Sequence, residues 1–241
     1  FNGIYKVSDE VIWKTRNAIR KRLIDRVKKI LTNPSETNHY TPKEVVQIKE
    51  NLRDDVLTIG FARRFATYKR ATLLFNDLDR LAEIVNDPKR PVQFLFAGKA
   101  HPADQAGQDL IKRIVDISKM PKFIGKIVFV PNYDISIAKS LVQGVDVWMN
   151  NPTRPLEASG TSGEKAAMNG VMHFSVLDGW WVEGYKEGAG WALPQESTYD
   201  DTNLQNELDA ATIYQIIENE IAPAFYNKDR NAHRREEWIS D

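Results

Sequence analysis

The chain has 241 residues, enough for one large α/β domain or two small ones with a substantial core. Lysine plus arginine and aspartate plus glutamate are equal at 33 each, so the net charge gives no reason to expect a nucleic acid or membrane partner. The absence of cysteine excludes disulfides, thiolate metal sites and a thiol nucleophile. The four histidines lack metal-ligand spacing, so no metal site is expected. Without a membrane-length apolar run or a signal-peptide pattern, we expect a cytoplasmic protein.

Residues 1–55 are predicted to form an N-terminal helix followed by a polar linker or insertion. Ser8 is the expected N-cap of an amphipathic helix that ends near Leu31. The following residues are polar and turn-rich, with one short helix from Pro42 to Asn51, and we expect them to lie outside the core. The polar face of the first helix is strongly basic, and we interpret it as a solvated surface. That face includes Lys14, Arg16, Arg20, Lys21, Arg22, Arg26, Lys28 and Lys29.

Residues 56–200 have the alternating pattern of an α/β domain, a Rossmann-like parallel sheet with helices on both faces. Short apolar runs alternate with stretches of helical periodicity, which is typical of βαβ units. Such sheets bind ligands in the loops beyond the carboxyl ends of their strands. Residues 201–241 are predicted to form C-terminal helices that pack back on this domain or on a partner domain. The predicted strands are 56–61, 92–98, 126–130, 145–149 and 171–176, and the predicted helices between them are 69–86, 103–118 and 135–143.

The loop after the first predicted strand is strongly basic. It contains four cations within eight residues, at a place where arginine and lysine would suit phosphate oxygens. A solvated basic loop is the alternative. The cations are Arg63, Arg64, Lys69 and Arg70.

The loop after the third predicted strand contains Tyr133 and Asp134. Asp134 is interpreted as the N-cap of the following helix. Tyr133 either lines the ligand crevice or packs at the sheet edge, and the sequence leaves both possibilities open.

A loop of glycines and small hydroxyl residues follows the fourth predicted strand and leads into a helix. Its free N–H groups and hydroxyls suit phosphate or sugar oxygens. Lys165 lies in the first helical turn, where the helix dipole disfavours a cation. It therefore either points to solvent or has a bound anion beside it. Three tryptophans downstream form either a stacking platform for sugar or, as we favour, an aromatic flap packed over the sheet; they are Trp180, Trp181 and Trp191.

Two of these stretches resemble the α-glucan phosphorylases, the family of glycogen, starch and maltodextrin phosphorylases. The first is Glu157–Lys165, and the second is Arg63–Arg70. The resemblance extends from about Val56 to Glu183 and is absent from residues 33–52. Shorter matches at the expected intervals are Gly98-Lys99-Ala100, Asn132-Tyr133, Met168-Asn169-Gly170 and Leu177-Asp178-Gly179.

The resemblance implies a cofactor site and a substrate site that share these loops. Lys165 would form a Schiff base with pyridoxal 5′-phosphate, and Tyr133 would lie against the cofactor ring. The residues implied to bind the cofactor phosphate are Arg63, Thr161 and Ser162. Those implied to bind the substrate phosphate are Arg64 and Lys69. Those implied to hold hydroxyls of the transferred glucosyl unit are Glu157, Ser159 and Gly160.

One position departs from the family pattern. The family commonly has Asn-Met before the lysine, whereas this chain has Gly163-Glu164. A carboxylate directly before the Schiff-base lysine raises the question of whether the two side chains interact.

The resemblance implies phosphorolysis of α-1,4-glucan to glucose 1-phosphate by the C-terminal half of a GT-B two-domain glycosyltransferase. The partners implied are α-glucan, inorganic phosphate and an N-terminal domain of the same protein, with a possible homodimer at full length. The isolated chain is then expected to lack activity. The alternatives are a nucleotide-sugar-dependent glycogen synthase-like enzyme, which needs no Schiff-base lysine, and a non-catalytic carbohydrate- or phosphate-binding module.

Overall fold

A computed structural model describes residues 3–33, 39–194 and 199–227, and its centre is a six-stranded parallel sheet. The strand order is β3-β2-β1-β4-β5-β6, and every neighbouring pair is parallel. The predicted α/β class and the Rossmann-like parallel sheet are confirmed. The strands are β1 (Leu57–Ala62), β2 (Val92–Ala97), β3 (Ile127–Val130), β4 (Val147–Asn150), β5 (Met172–Val176) and β6 (Gly190–Leu193).

The four strands on one side and at the centre of the sheet are buried along their whole length. All residues of β1, β2, β3 and β4 are buried, as expected for strands covered on both faces. The chain reverses its direction of winding between β1 and β4, which pair through Ile59 with Val147 and Gly60 with Trp148. Ligand crevices in this architecture form at the carboxyl ends of the strands that flank such a reversal.

Helices cover the sheet, and several begin at aspartate N-caps. The Asp134 carboxylate accepts a hydrogen bond of 2.7 Å from the Ile137 N–H, which confirms the predicted cap. The helices are α1 (Asp9–Leu31), α2 (Pro42–Asn51), α3 (Leu78–Val85), α4 (Gln105–Ser118), α5 (Ile135–Gly144), α6 (Thr161–Met168), α7 (Trp181–Gly184), α8 (Thr202–Ile216) and α9 (Ala222–Tyr226). Among the described residues, none of these helices is both long and apolar enough to cross a membrane.

The helix predicted to begin at Lys69 starts nine residues later. Residues 67–69 form a single 3₁₀ turn, and Arg70 adopts a left-handed backbone conformation with φ 50°. A left-handed residue interrupts a right-handed helix. The helix α3 begins only after Asp77, whose side chain accepts a hydrogen bond from the Arg80 N–H. Residues 63–70 are therefore an irregular loop at the end of β1.

Residues 33–55 were interpreted as a linker outside the core. This interpretation is wrong for most of residues 39–55, which the structure describes. The helix Pro42–Asn51 is present as predicted, but its apolar face is buried. The Tyr40 hydroxyl is also buried, and it accepts a hydrogen bond of 2.9 Å from the Phe129 N–H in β3. This segment thus covers the edge of the sheet. The core residues that it contributes are Tyr40, Val45, Ile48 and Leu52.

The basic face of α1 is not wholly solvated, which corrects a second prediction. Arg16 and Arg20 are buried against the amino end of the sheet. The Arg16 guanidinium donates hydrogen bonds of 2.7 Å to the carbonyls of Gln143 and Val145 at the end of α5. A cation is favoured there, because the carbonyl end of a helix is the negative end of its dipole.

The aromatic cluster divides between a helix and a strand that was not predicted. Trp181 in α7 is buried and packs edge-on against His173 of β5, with ring centroids 4.7 Å apart. Trp191 lies within β6, opposite Phe174 of β5. At the C-terminus, α8 and α9 contribute residues to the core of the domain, whereas the predictions for residues 228–241 fall outside the described part.

Candidate active site

The loops after β1 and β4 bring two cationic side chains and one carboxylate together at the carboxyl edge of the sheet. The Lys69 ammonium pairs with the Glu157 carboxylate, and an Arg63 Nη1 atom lies 3.8 Å from the same carboxylate oxygen. The three side chains are 14% exposed or less. Residues predicted to bind phosphate and sugar thus contact one another. A phosphate bound at these cations would compete with Glu157 for both of them.

Arg63 has hydrogen-bond donors to spare. Its guanidinium lies over the Phe61 ring, with 4.8 Å between Cζ and the ring centroid. Its Nε and Nη2 atoms are buried and make no hydrogen bond with any described residue. Burial lowers the pKa of Arg63 to about 10, although Glu157 opposes the shift, so the group remains a cation at neutral pH. Buried unpaired donors are costly, and an anion at this position would satisfy them.

The N-terminus of α6 lies at the end of the loop that contains Glu157. Gly160 is its N-cap and has φ 83°, a left-handed conformation in which no side chain caps the helix. The first N–H groups of a helix have no intrahelical acceptor and attract anions. Thr161 and Lys165 are four residues apart on α6 and therefore share one face. Lys165 is exposed, and its amine forms no hydrogen bond or ion pair within the described part of the chain.

Glu164 does not form a helix-surface pair with Lys165. Adjacent residues on a helix point in directions about 100° apart and do not face each other. Glu164 instead belongs to the acidic first turn of α6, where the helix dipole favours a carboxylate. A glutamate at position 164, where the family commonly has methionine, is thus compatible with helix α6.

The loop after β5 fixes the backbone of the loop that contains Glu157. The Asp178 carboxylate accepts hydrogen bonds of 3.0 Å from the N–H groups of Glu157 and Gly179. The Trp180 N–H donates to the Ser159 carbonyl at 2.8 Å. Gly179 has φ 57°, and a Cβ atom there would come within 2.5 Å of the Ser159 carbonyl oxygen. The close approach of the two loops therefore requires glycine at this position.

Tyr133 and Arg64 lie at the margin of this cluster. Tyr133 is half-buried in the loop after β3, and burial raises the pKa of its hydroxyl while the nearby Arg63 opposes the shift. It borders a groove of about 550 Å³ that is also lined by Lys99 and by residues of α4. Arg64 is exposed and forms no ion pair or hydrogen bond with Lys69 or Glu157. In the described residues no group of three or more acidic or histidine side chains is arranged to hold a metal ion.

His173 supports the base of α6 and is buried. Its Nδ1 and Nε2 atoms make no hydrogen bond with the described residues. A Cβ atom on Gly163 would come within 2.5 Å of the His173 Cε1 atom, so the first turn of α6 rests directly on the imidazole ring. Burial, aided by the positive charge of Arg63, lowers the pKa of His173 to about 3.

We expect His173 to make the fold sensitive to acid. The unfolded chain binds the imidazole proton below pH 6.5, whereas the folded chain resists it down to about pH 3. Between these values the unfolded state binds more protons, so the free energy of unfolding falls as the pH is lowered, by up to about 1.4 kcal/mol per pH unit. Urea denaturation of wild type and His173→Asn between pH 7 and 4 would measure the difference in slope. His101→Asn, at an exposed histidine, is the control and should retain the wild-type slope. Equal slopes for wild type and His173→Asn would contradict the assignment.

Comparison with known proteins identifies the family. The family model described as carbohydrate phosphorylase matches residues 21–190, which is most of the chain. The chain belongs to this family. It is 45% identical to the maltodextrin phosphorylase of Thermococcus litoralis and 46% identical to the glycogen phosphorylase of Aquifex aeolicus, in both cases over 98% of the chain. It is 41% identical over 94% of its length to the glycogen phosphorylase of Mycobacterium tuberculosis strain H37Rv. It spans only 27%, 34% and 26% of the respective relatives.

Several residues of the candidate site were given no role by the sequence. Asp178 was part of the family resemblance, but its contact with the Glu157 N–H depends on two loops meeting in space. His173 was considered only as a metal ligand, and its burial under α6 follows from its position in β5. Arg70 was counted only as a cation, whereas from the loop after β1 it donates two hydrogen bonds to the loop after β4. In the sequence, Arg70 could have been singled out by its place in the basic motif Arg63–Arg70.

Proposed function

We propose that this chain is the cofactor- and phosphate-binding half of an enzyme that cleaves α-1,4-glucan with inorganic phosphate to give glucose 1-phosphate. The observation that carries the proposal is the convergence of Arg63, Lys69 and Glu157 beside the N-terminus of α6. Lys165 belongs to the same helix but lies in its last turn, and not in the first turn as the sequence predicted. Membership of the carbohydrate phosphorylase family supports the reaction class. Because the chain spans about a third or less of its relatives, the glucan-binding part is proposed to lie elsewhere in a longer protein.

The residues present fit pyridoxal 5′-phosphate, which is the proposed cofactor. The unpartnered Nε and Nη2 donors of buried Arg63 suit the cofactor phosphate, as do the first N–H groups and hydroxyls of α6 at Thr161 and Ser162. The exposed amine of Lys165 has no competing partner among the described residues and would bind the cofactor covalently. Tyr133, whose hydroxyl lies close enough to Arg63 for the two to interact electrostatically, would contact the ring. When bound, the cofactor would supply its phosphate as a charge partner for the substrate phosphate.

The remaining chemistry is assigned to side chains of this chain and to the substrate phosphate. Inorganic phosphate, held by Arg64 and Lys69, would donate its proton to the glycosidic oxygen and so release the shortened glucan. The same phosphate would then attack the same face of the anomeric carbon. Two phosphates in one site repel strongly, so the cations of Arg63, Arg64 and Lys69 are needed to offset their charge. Glu157, Ser159 and Gly160 would hold hydroxyls of the glucosyl unit.

The reaction is tested by incubating the longer protein that contains this chain with maltodextrin, inorganic phosphate and pyridoxal phosphate. We expect glucose 1-phosphate to appear only when phosphate is present. The 241-residue chain alone should release none, because glucan-binding residues are proposed to lie outside it. Steady release of glucose 1-phosphate by the isolated chain would refute the proposed division of the site.

The same assay separates the proposal from its alternatives. Transfer of glucose from a nucleotide sugar, with no requirement for pyridoxal phosphate, would identify a glycogen synthase-like enzyme. Glucan or phosphate binding without turnover would identify a binding module. A cytoplasmic location and a homodimer of the longer protein are part of the proposal, and subcellular fractionation and light scattering would test them.

A further inference from the structure

We propose that Arg70 is a positioning residue, which sets the spacing of the two loops of the site by attaching both of them to helix α8. This inference deepens the proposed function, since those loops contain Lys69 and Glu157. It rests on a network of contacts that connects three parts of the chain far apart in sequence.

Arg70 is bonded directly to the loop after β4. Its Nε atom donates to the Asn151 carbonyl at 2.9 Å, and its Nη2 atom donates to the Pro152 carbonyl at 3.1 Å. In return, the Asn151 side-chain amide donates to the Arg70 carbonyl at 3.0 Å. The Thr153 N–H donates to the Tyr68 carbonyl at 2.6 Å. Four hydrogen bonds thus join the two loops just before Glu157.

The same guanidinium is anchored to α8. Its Nη1 atom lies 2.5 Å from a carboxylate oxygen of Asp209 and 3.2 Å from the Asn206 side-chain oxygen. The ion pair is largely shielded from solvent, since the Arg70 side chain is 9% exposed and that of Asp209 is 23% exposed. Charge-assisted hydrogen bonds in such surroundings are stronger than those between neutral groups. Helix α8 is therefore a fixed support for the loop junction.

Arginine is the side chain that suits this junction. Its planar group has five donors in a fixed arrangement, whereas a lysine ammonium has three donors on a flexible stem. The left-handed backbone of Arg70, with φ 50°, turns the chain immediately after Lys69. Loss of the guanidinium would remove two of the four hydrogen bonds between the Lys69 loop and the Glu157 loop, together with their attachment to α8. Displacement of site residues by about 1 Å is enough to slow catalysis greatly.

The chain offers a matched control in Arg80. Arg80 also pairs with an acidic residue that follows α8, since its guanidinium lies 2.9 Å from Glu218, but its side chain bonds to neither loop of the site. Arg70→Met and Arg80→Met each remove one arginine ion pair to the C-terminal helices. Only Arg70→Met removes hydrogen bonds between the loops, namely the two that the guanidinium donates to the Asn151 and Pro152 carbonyls.

Hydrogen–deuterium exchange of the 241-residue chain tests the junction without any ligand. We expect Arg70→Met to speed exchange at least tenfold in peptides that cover residues 66–70 and 151–160, and Arg80→Met to leave both peptides at the wild-type rate. Asp209→Asn is a milder variant and should give an intermediate increase in the same peptides. Unchanged exchange in Arg70→Met and Asp209→Asn would overturn the proposal, as would equal increases in Arg70→Met and Arg80→Met.

Kinetics of the longer protein test the consequence for phosphate. We expect Arg70→Met to raise the KM for inorganic phosphate and lower kcat, each at least tenfold, with the KM for maltodextrin within twofold of wild type. Arg70→Lys should recover part of kcat, and Arg80→Met should leave these constants unchanged. A uniform loss shared with Arg80→Met would mean that Arg70 is merely structural. If wild type shows no phosphorolysis, the proposed function fails, and the exchange experiment still decides whether Arg70 joins the loops.

Discussion

Replacement of Lys165 by arginine is expected to abolish covalent retention of pyridoxal phosphate and phosphorolysis by the longer protein that contains this chain. Covalent attachment requires a primary amine that can lose its proton, whereas a guanidinium stays protonated in proteins. Lys165 is exposed on α6, and its amine has no hydrogen bond or ion pair in the described residues that would compete for it. Arginine keeps the length and charge of the side chain, so a defect would report the missing amine.

The measurement has two parts, absorbance of the protein-bound cofactor and mass spectrometry after borohydride reduction. Wild type should give one labelled peptide that contains Lys165. Lys139→Arg, at an exposed lysine of α5, is the matched control and should retain both the label and the activity. If borohydride reduction still attaches the cofactor covalently to Lys165→Arg, another lysine holds the cofactor, and the assignment of Lys165 is wrong.

The buried strands were predictable because each is a short apolar run between turn residues. A strand buried on both faces leaves a nearly continuous apolar pattern, as in residues 92–97, all of which are buried. The strand β6 was missed because Gly190–Leu193 lies among glycines and aromatic residues, and only its two end residues are buried. Pairing with β5 stabilises it as a strand, and that pairing has no local signature.

The sequence pattern did not predict which charged side chains are buried in the fold. In α1 the sequence shows many basic residues, but it does not show which of them meet a neighbouring helix or a carboxylate. Arg16 and Arg20 are buried because they reach carbonyl groups and Asp146 across the fold. In the same way, Arg70 contacts Asp209, which is 139 positions away, and no spacing rule connects the two.

The composition of the site was more predictable than its geometry. Basic and glycine-rich loops at strand ends indicated an anion site, and the structure brings Arg63, Lys69 and Glu157 together. Their pairing with one another could not be predicted, because it depends on the strand order that places β1 beside β4. The individual roles assigned to these residues, and to Arg64 and Tyr133, stay predictions.

Asp146→Ala is expected to lower the free energy of unfolding by about 3–5 kcal/mol, the range for a broken buried ion pair. An Asp146 carboxylate oxygen lies 3.3 Å from the Arg20 Nε atom, and the two side chains are 2% and 1% exposed. The same oxygen accepts a hydrogen bond of 2.9 Å from the Thr58 N–H in β1. Burial raises the pKa of Asp146, and Arg20 opposes the shift. Removal of the carboxylate would leave the buried Arg20 cation and the Thr58 N–H without this partner.

Urea denaturation of Asp146→Ala and Asp146→Asn at pH 7 separates the charge from the hydrogen bond. Asp146→Asn keeps an oxygen that can accept from the Thr58 N–H but removes the charge, so its loss of stability isolates the ion pair. Asp116→Ala breaks a pair with Lys112 in which the side chains are 49% and 75% exposed, and it should cost no more than about 1 kcal/mol. In the double variant Arg20→Met/Asp146→Leu both charges are gone. Its loss of stability should therefore be smaller than the sum of the losses measured for Arg20→Met and Asp146→Leu singly. If Asp146→Ala costs no more than Asp116→Ala, the buried pair does not stabilise the attachment of α1 to the sheet.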